Sequence, residues 1–62
     1  MRSREVIARI EADGWVEVRQ SGSHKHFRHP EKLGTATVPH PKADLPRGTL
    51  KSISRQTGVP LP

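Results

Sequence analysis

Trp15-Val16-Glu17-Val18-Arg19-Gln20-Ser21-Gly22-Ser23-His24-Lys25-His26-Phe27-Arg28-His29 is the stretch that decides the fold. Its first six residues are rich in β-formers, Ser21-Gly22-Ser23 has strong turn chemistry, and the last six alternate around a single aromatic. It reads as strand, turn, strand, over Trp15–Gln20 and His24–His29. In the first strand Val16 and Val18 alternate against Glu17 and Arg19, which predicts an apolar face and a charged one. In the second, a period of two puts His24, His26 and Arg28 on one face and Lys25, Phe27 and His29 on the other. Phe27 is the obvious core residue, so His24 and His26 point outward.

Upstream, Ser3 is placed to cap a helix over residues 4–13, where Val6, Ile7 and Ile10 recur at helical spacing and Glu5 favours the first turn. Gly14 ends it. A left-handed Gly14 would let Trp15 pack back onto Ile10 in a Schellman ending. Downstream, Pro30 stops the second strand, Gly34 closes another turn, and Thr35–Val38 form a third strand with Ala36 and Val38 on one face. Pro39 and Pro41 bar pairing in the middle of a sheet. A second helix follows near residues 46–57, with Pro46 at its start, Leu50 and Ile53 on one face, and Gly58 and Pro60 ending it. The expected fold is therefore α+β, α-β-β-β-α, one three-stranded antiparallel sheet covered on one face by two helices. Residues 1–62 read as one domain, and the uncovered face presents His24, His26 and Arg28.

At 62 residues with 31% apolar content the core must be thin, since chains of this length bury only about 60% of their unfolded surface. A bound partner could supply part of the stability. The absence of cysteine excludes a disulfide framework and any Cys-based zinc site. No apolar run reaches the length of a membrane span and no signal-peptide pattern opens the chain, so it reads as cytoplasmic. The net charge is +5, and all of the excess lies after Gln20, where seven basic residues face two acidic ones. Such a field favours polyanions.

The six carboxylates are scattered, which excludes a paired-acid hydrolase site, and Gly22 and Gly34 sit in short turns that resemble no nucleotide loop. Chemistry concentrates in the histidines, four of which fall within positions 24–40. Imidazole accepts and donates protons near neutral pH. One reading makes His24 a general base that removes the proton of an RNA 2′-hydroxyl, with Lys and Arg stabilising charge on the attacked phosphate. A second has His24, His26 and His40 bind zinc, against which stand the absence of a supporting carboxylate and the repulsion of Lys25, Arg28 and Lys42. The plain alternative is a set of surface histidines, and for His26 and His29 it is the better reading. Trp15, Phe27, Leu50 and Ile53 are core by periodicity, and two aromatics are too few for a base-stacking platform.

Three segments together resemble the HicA family of bacterial toxins: Gly22-Ser23-His24-Lys25-His26-Phe27, Thr37-Val38-Pro39-His40-Pro41-Lys42-Ala43-Asp44-Leu45-Pro46, and Gly48-Thr49-Leu50-Lys51-Ser52-Ile53. The resemblance spans nearly the whole chain. It implies a fold like the double-stranded RNA-binding domain, mRNA cleavage that arrests growth, and neutralisation by a HicB-like antitoxin, and the general-base reading of His24 calls for no cofactor. It also implies that His24, the histidine of the family's Gly-Ser-His motif, is catalytic. Ser23, Lys25, Arg28 and Lys42 are then candidate RNA contacts, with Lys25 on the far side from His24 by strand parity. The rival is a non-catalytic RNA-binding module of the same fold. Ser54 and Thr57 depart from the family pattern, standing in place of an apolar residue and Ala, and predict a weaker second helix.

Overall fold

A computed structural model describes all 62 residues. The element order is α1 (Ser3–Ala12), β1 (Val16–Ser21), β2 (His24–Arg28), β3 (Ala36–Pro39) and α2 (Arg47–Thr57). The sheet is antiparallel in the order β1-β2-β3, so β2 is central. Val6 and Ile10 of α1 and Leu50 and Ile53 of α2 meet Phe27, Ala36 and Val38 on one face of that sheet, with Trp15 and Leu45 completing a nine-residue core. The expected α-β-β-β-α architecture is the one observed.

Both helix ends that glycine was expected to form are present. Gly14 has φ +108°, the Gly14 N–H donates to Glu11 O at 3.0 Å, and the Trp15 N–H donates to Ile10 O at 3.1 Å. This pair of bonds is the full Schellman pattern, and it delivers Trp15 into the core beside Ile10. At the end of α2, Gly58 has φ +73° and donates its N–H to Ser54 O at 2.8 Å.

The two departures in α2 are both used at this ending. The buried Thr57 hydroxyl donates to Ile53 O at 2.8 Å and accepts the Val59 N–H at 3.1 Å, while the Ser54 hydroxyl donates to Val59 O at 2.8 Å. These hydroxyls tie Val59, the residue after Gly58, back onto the last turn of the helix.

The start of α1 differs from expectation by one residue. Arg2, in an extended conformation, is the N-cap, and its N–H is accepted by the Glu5 carboxylate at 2.9 Å. This is half of a capping box, because an arginine side chain has no acceptor to return the bond. Ser3 is instead the first helical residue and is buried, since its hydroxyl is drawn to the loop after β3.

The first strand also departs from its apparent alternation. Glu17 pairs with Phe27 and Arg19 with His26, so a bulge at Val18 places the two charged residues on opposite faces. Val16 pairs with Arg28 and therefore lies on the open face, and both Val16 (58% exposed) and Val18 (56%) face solvent. The helices cover β2 and β3, whereas every residue of β1 is exposed. At the other edge, the Gln56 side chain accepts the Thr37 N–H at 3.1 Å, so α2 caps part of the free rim of β3. Pro39 ends that edge strand, where its missing N–H costs no sheet bond.

Gly14 is the tightest backbone position. A Cβ there would lie 2.8 Å from His29 Nε2, and its φ is one that L-residues rarely adopt. Gly14→Ala should lower stability by about 2 kcal/mol or more, a fall in Tm of roughly 8 °C or more for a domain of this size. Thermal unfolding by circular dichroism measures it, and an unchanged Tm would refute the account of this corner.

Candidate active site on the open face of the sheet

Strand β2 sorts the histidines. His24 opens the strand opposite Ser21 on β1 and Pro39 on β3, on the face away from buried Phe27, and it is exposed. Its imidazole makes no hydrogen bond within the protein, in contrast to the other three rings. His26 shares that face and is half-buried, its Nδ1 3.1 Å from Thr37 Oγ1. Arg28 follows on the same side, exposed and in no ion pair. Because the bulge sets Arg19 opposite His26, Arg19 joins this face as well. Simple alternation from Trp15 missed Arg19, and only the register shift brings it in.

The other two histidines are elsewhere. His29 was expected at the surface, yet its side chain is only 6% exposed and both ring nitrogens are used. Nδ1 accepts the N–H groups of Glu31 (3.0 Å) and Lys32 (3.2 Å), which leaves Nε2–H to donate to Asp13 O at 2.8 Å. The ring meets Trp15 edge-on at 5.4 Å between centroids. His29 is thus a structural tie between the corner after α1 and the turn after β2.

His40 lies on the helix side, with Nδ1 2.7 Å from Ser3 Oγ, while its backbone N–H donates to Ser23 O at 2.7 Å. His24, His26 and His40 therefore do not converge into a three-imidazole site, and no other cluster of three metal-ligating side chains forms.

The candidate RNA contacts divide in the same way. Ser23 precedes His24 in the turn and is exposed. Lys25 lies on the helix side of the sheet, 2.9 Å from the Glu17 carboxylate, so its charge is largely matched. Lys42 sits in the loop after β3 beside the start of α1. Of the eleven Lys and Arg residues, only Lys25 and Lys32 are in ion pairs, which leaves nine cations without a carboxylate partner. His24 lines neither of the two surface concavities. The site is an open cationic surface, a shape suited to a polymer rather than to an enclosed small molecule.

The sequence matches the family model described as the HicA toxin of bacterial toxin-antitoxin over residues 3–59. The chain belongs to the HicA toxin family. No curated protein matches the sequence of this HicA toxin. The match begins at Ser3 and runs past Gly58, so it takes in both helices, the histidine strand and the loop bearing His40. Membership makes the protein the toxin of a toxin–antitoxin system and implies a cognate antitoxin as partner. No helix is long and apolar enough to cross a membrane.

The acid side of the His29 tie has a pH signature. The Lys32 ammonium hydrogen-bonds the Asp13 carboxylate at 2.6 Å and holds its pKa below the usual carboxylate value, against some desolvation. A depressed folded-state pKa contributes stability that is present above the unfolded value, about 3.9, and is lost as pH falls through the folded one. Asp13→Asn should therefore lower stability at neutral pH and flatten its decline below about pH 4. Urea midpoints across that range read both effects, and parallel wild-type and variant curves would exclude the pairing as a contributor.

Proposed function

We propose that this HicA toxin is a metal-independent endoribonuclease that cleaves mRNA, with residues 1–62 acting as one RNA-cleaving domain in the cytoplasm. The observation that supports this best is His24 itself: exposed, free of internal hydrogen bonds, and on the same sheet face as the unpaired cations Arg19 and Arg28. A general base must reach a proton on its substrate, and a ring already committed to the protein, like that of His29, could not serve.

On this reading the His24 imidazole takes the proton of a ribose 2′-hydroxyl. The freed oxygen attacks the adjacent phosphorus, the 5′-oxygen of the next nucleotide leaves as a hydroxyl with a proton from solvent water, and a cyclic phosphate remains. Charge gathers on the phosphoryl oxygens during attack, where guanidinium groups stabilise it without a metal ion. Arg28 and Arg19 supply that charge from the same face, and the exposed Ser23 borders it. Lys25, turned away and matched by Glu17, contributes less than these. Lys42 holds RNA at the flank of the site rather than beside the scissile bond.

A HicB-like antitoxin neutralises such a toxin most directly by covering the open face. The thin core, nine buried apolar residues, makes this protein one that gains appreciably from a bound partner.

His24→Ala should abolish RNA cleavage and growth arrest while RNA affinity falls little, since most affinity comes from phosphate contacts. Cleavage undiminished in that variant would remove His24 from the chemistry, and binding without cleavage in the wild type would favour a non-catalytic RNA-binding module. Cleavage should also persist in excess chelator, and its loss there would point to a metal ion. The antitoxin complex should protect His24 from modification by diethyl pyrocarbonate and raise the toxin's Tm. A complex that leaves His24 reactive and toxicity intact would contradict the covering of this face.

A further inference from the structure

The loop carrying His40 forms, with the start of α1, a pocket of about 310 Å³ lined by Arg2, Ser3, Arg4, His40, Lys42 and neighbouring loop atoms. Three of its side chains are cations, none is in an ion pair, and no carboxylate lines it. Glu5, the acid of the first helical turn, is committed to the Arg2 N–H. The Ser3 hydroxyl oxygen accepts the Lys42 N–H at 2.9 Å, which leaves its proton for His40 Nδ1 at 2.7 Å. With Nδ1 accepting from Ser3, Nε2 bears the ring's N–H and makes no hydrogen bond in the protein. Three unpaired cations and an imidazole donor border one concavity, a combination that favours an anion.

The pocket is coupled to the turn that carries His24. His40 donates its N–H to Ser23 O at 2.7 Å, and Pro39 pairs with His24 across the sheet. His24 faces the open side at this point and His40 the helix side, so the two functions flank one end of the β2–β3 pair. We infer that the pocket is a subsite for an RNA backbone phosphate flanking the scissile bond, with Arg2, Arg4, Lys42 and His40 as its donors. The subsite holds the strand as it leaves the open face and takes no part in proton transfer. This assignment rests on the endoribonuclease reading for its ligand, whereas the pocket's affinity for phosphate does not.

Two measurements separate the dependence. In the first, the protein is titrated with inorganic phosphate at constant ionic strength and followed by NMR. The Ser3 amide and His40 ring resonances should shift in the wild type and stay fixed in the Arg2→Gln/Arg4→Gln variant. Both replaced side chains are exposed, so the variant should keep the wild-type spectrum elsewhere. Absence of shifts in the wild type would overturn the pocket whatever the protein does to RNA.

In the second, RNA cleavage by the same variant should show KM raised about tenfold with kcat retained. The slope of log affinity against log salt should fall by roughly one per lost phosphate contact. An unchanged KM and salt slope, with RNA still cleaved, would overturn the subsite while leaving the nuclease reading intact. A wild type that shifts with phosphate but neither binds nor cleaves RNA would overturn the RNA assignment along with that reading.

Discussion

Everything specific about this molecule follows from the alternation of its central strand, anchored by Phe27. Burying that ring under two helices fixes which way each residue of β2 points, and the neighbouring strands inherit the choice through their pairing. A one-residue slip would turn His24 into the core and Phe27 into water, so the register is held by the full cost of exposing an aromatic side chain. His24 and His26 are thereby displayed on one side, and Lys25 and His29 are retained on the other. The same strand that builds the core thus presents His24 on its back.

A core of nine apolar residues leaves much of the remaining order to polar ties placed where the backbone would otherwise be unpaired. His29 joins the corner after α1 to the following turn, Ser3 and His40 join the start of α1 to the loop after β3, and Thr57 with Ser54 closes α2. Each tie satisfies groups that cost free energy when buried alone. Three of the four histidines are absorbed in this way, which leaves His24 as the one ring with both nitrogens available. The buried Trp15 indole N–H is the exception to this economy, since it finds no hydrogen-bond partner.

The parts legible in the sequence are those written in local chemistry. Glycines followed by apolar residues gave both helix ends, and the apolar periods gave the element order and the direction of Phe27 and His24. Much of what escaped was decided by tertiary contact. Ser3 has the composition of a cap, but the Lys42 N–H and the His40 ring compete for its hydroxyl and draw it inside the helix. His29 reads as a solvent-exposed end of a strand, and only the fold brings the Asp13 carbonyl and the Glu31 amide to its ring. Thr57 looked like a flaw by residue type, yet its hydroxyl has partners one turn away that an alanine could not bond. For the open face, a bulge invisible to simple alternation moved Arg19 to the side of His24 and His26.

That bulge has a second effect. β1 is an edge strand with no helix above it and two exposed valines, a combination that would ordinarily template strand addition by another copy. The displaced Val18 interrupts the ladder midway along six residues, and the charged side chains on either side of it add a penalty to any approaching flat edge. An irregular, charged edge of this kind disfavours strand addition, which is how a very small protein can leave a whole strand bare.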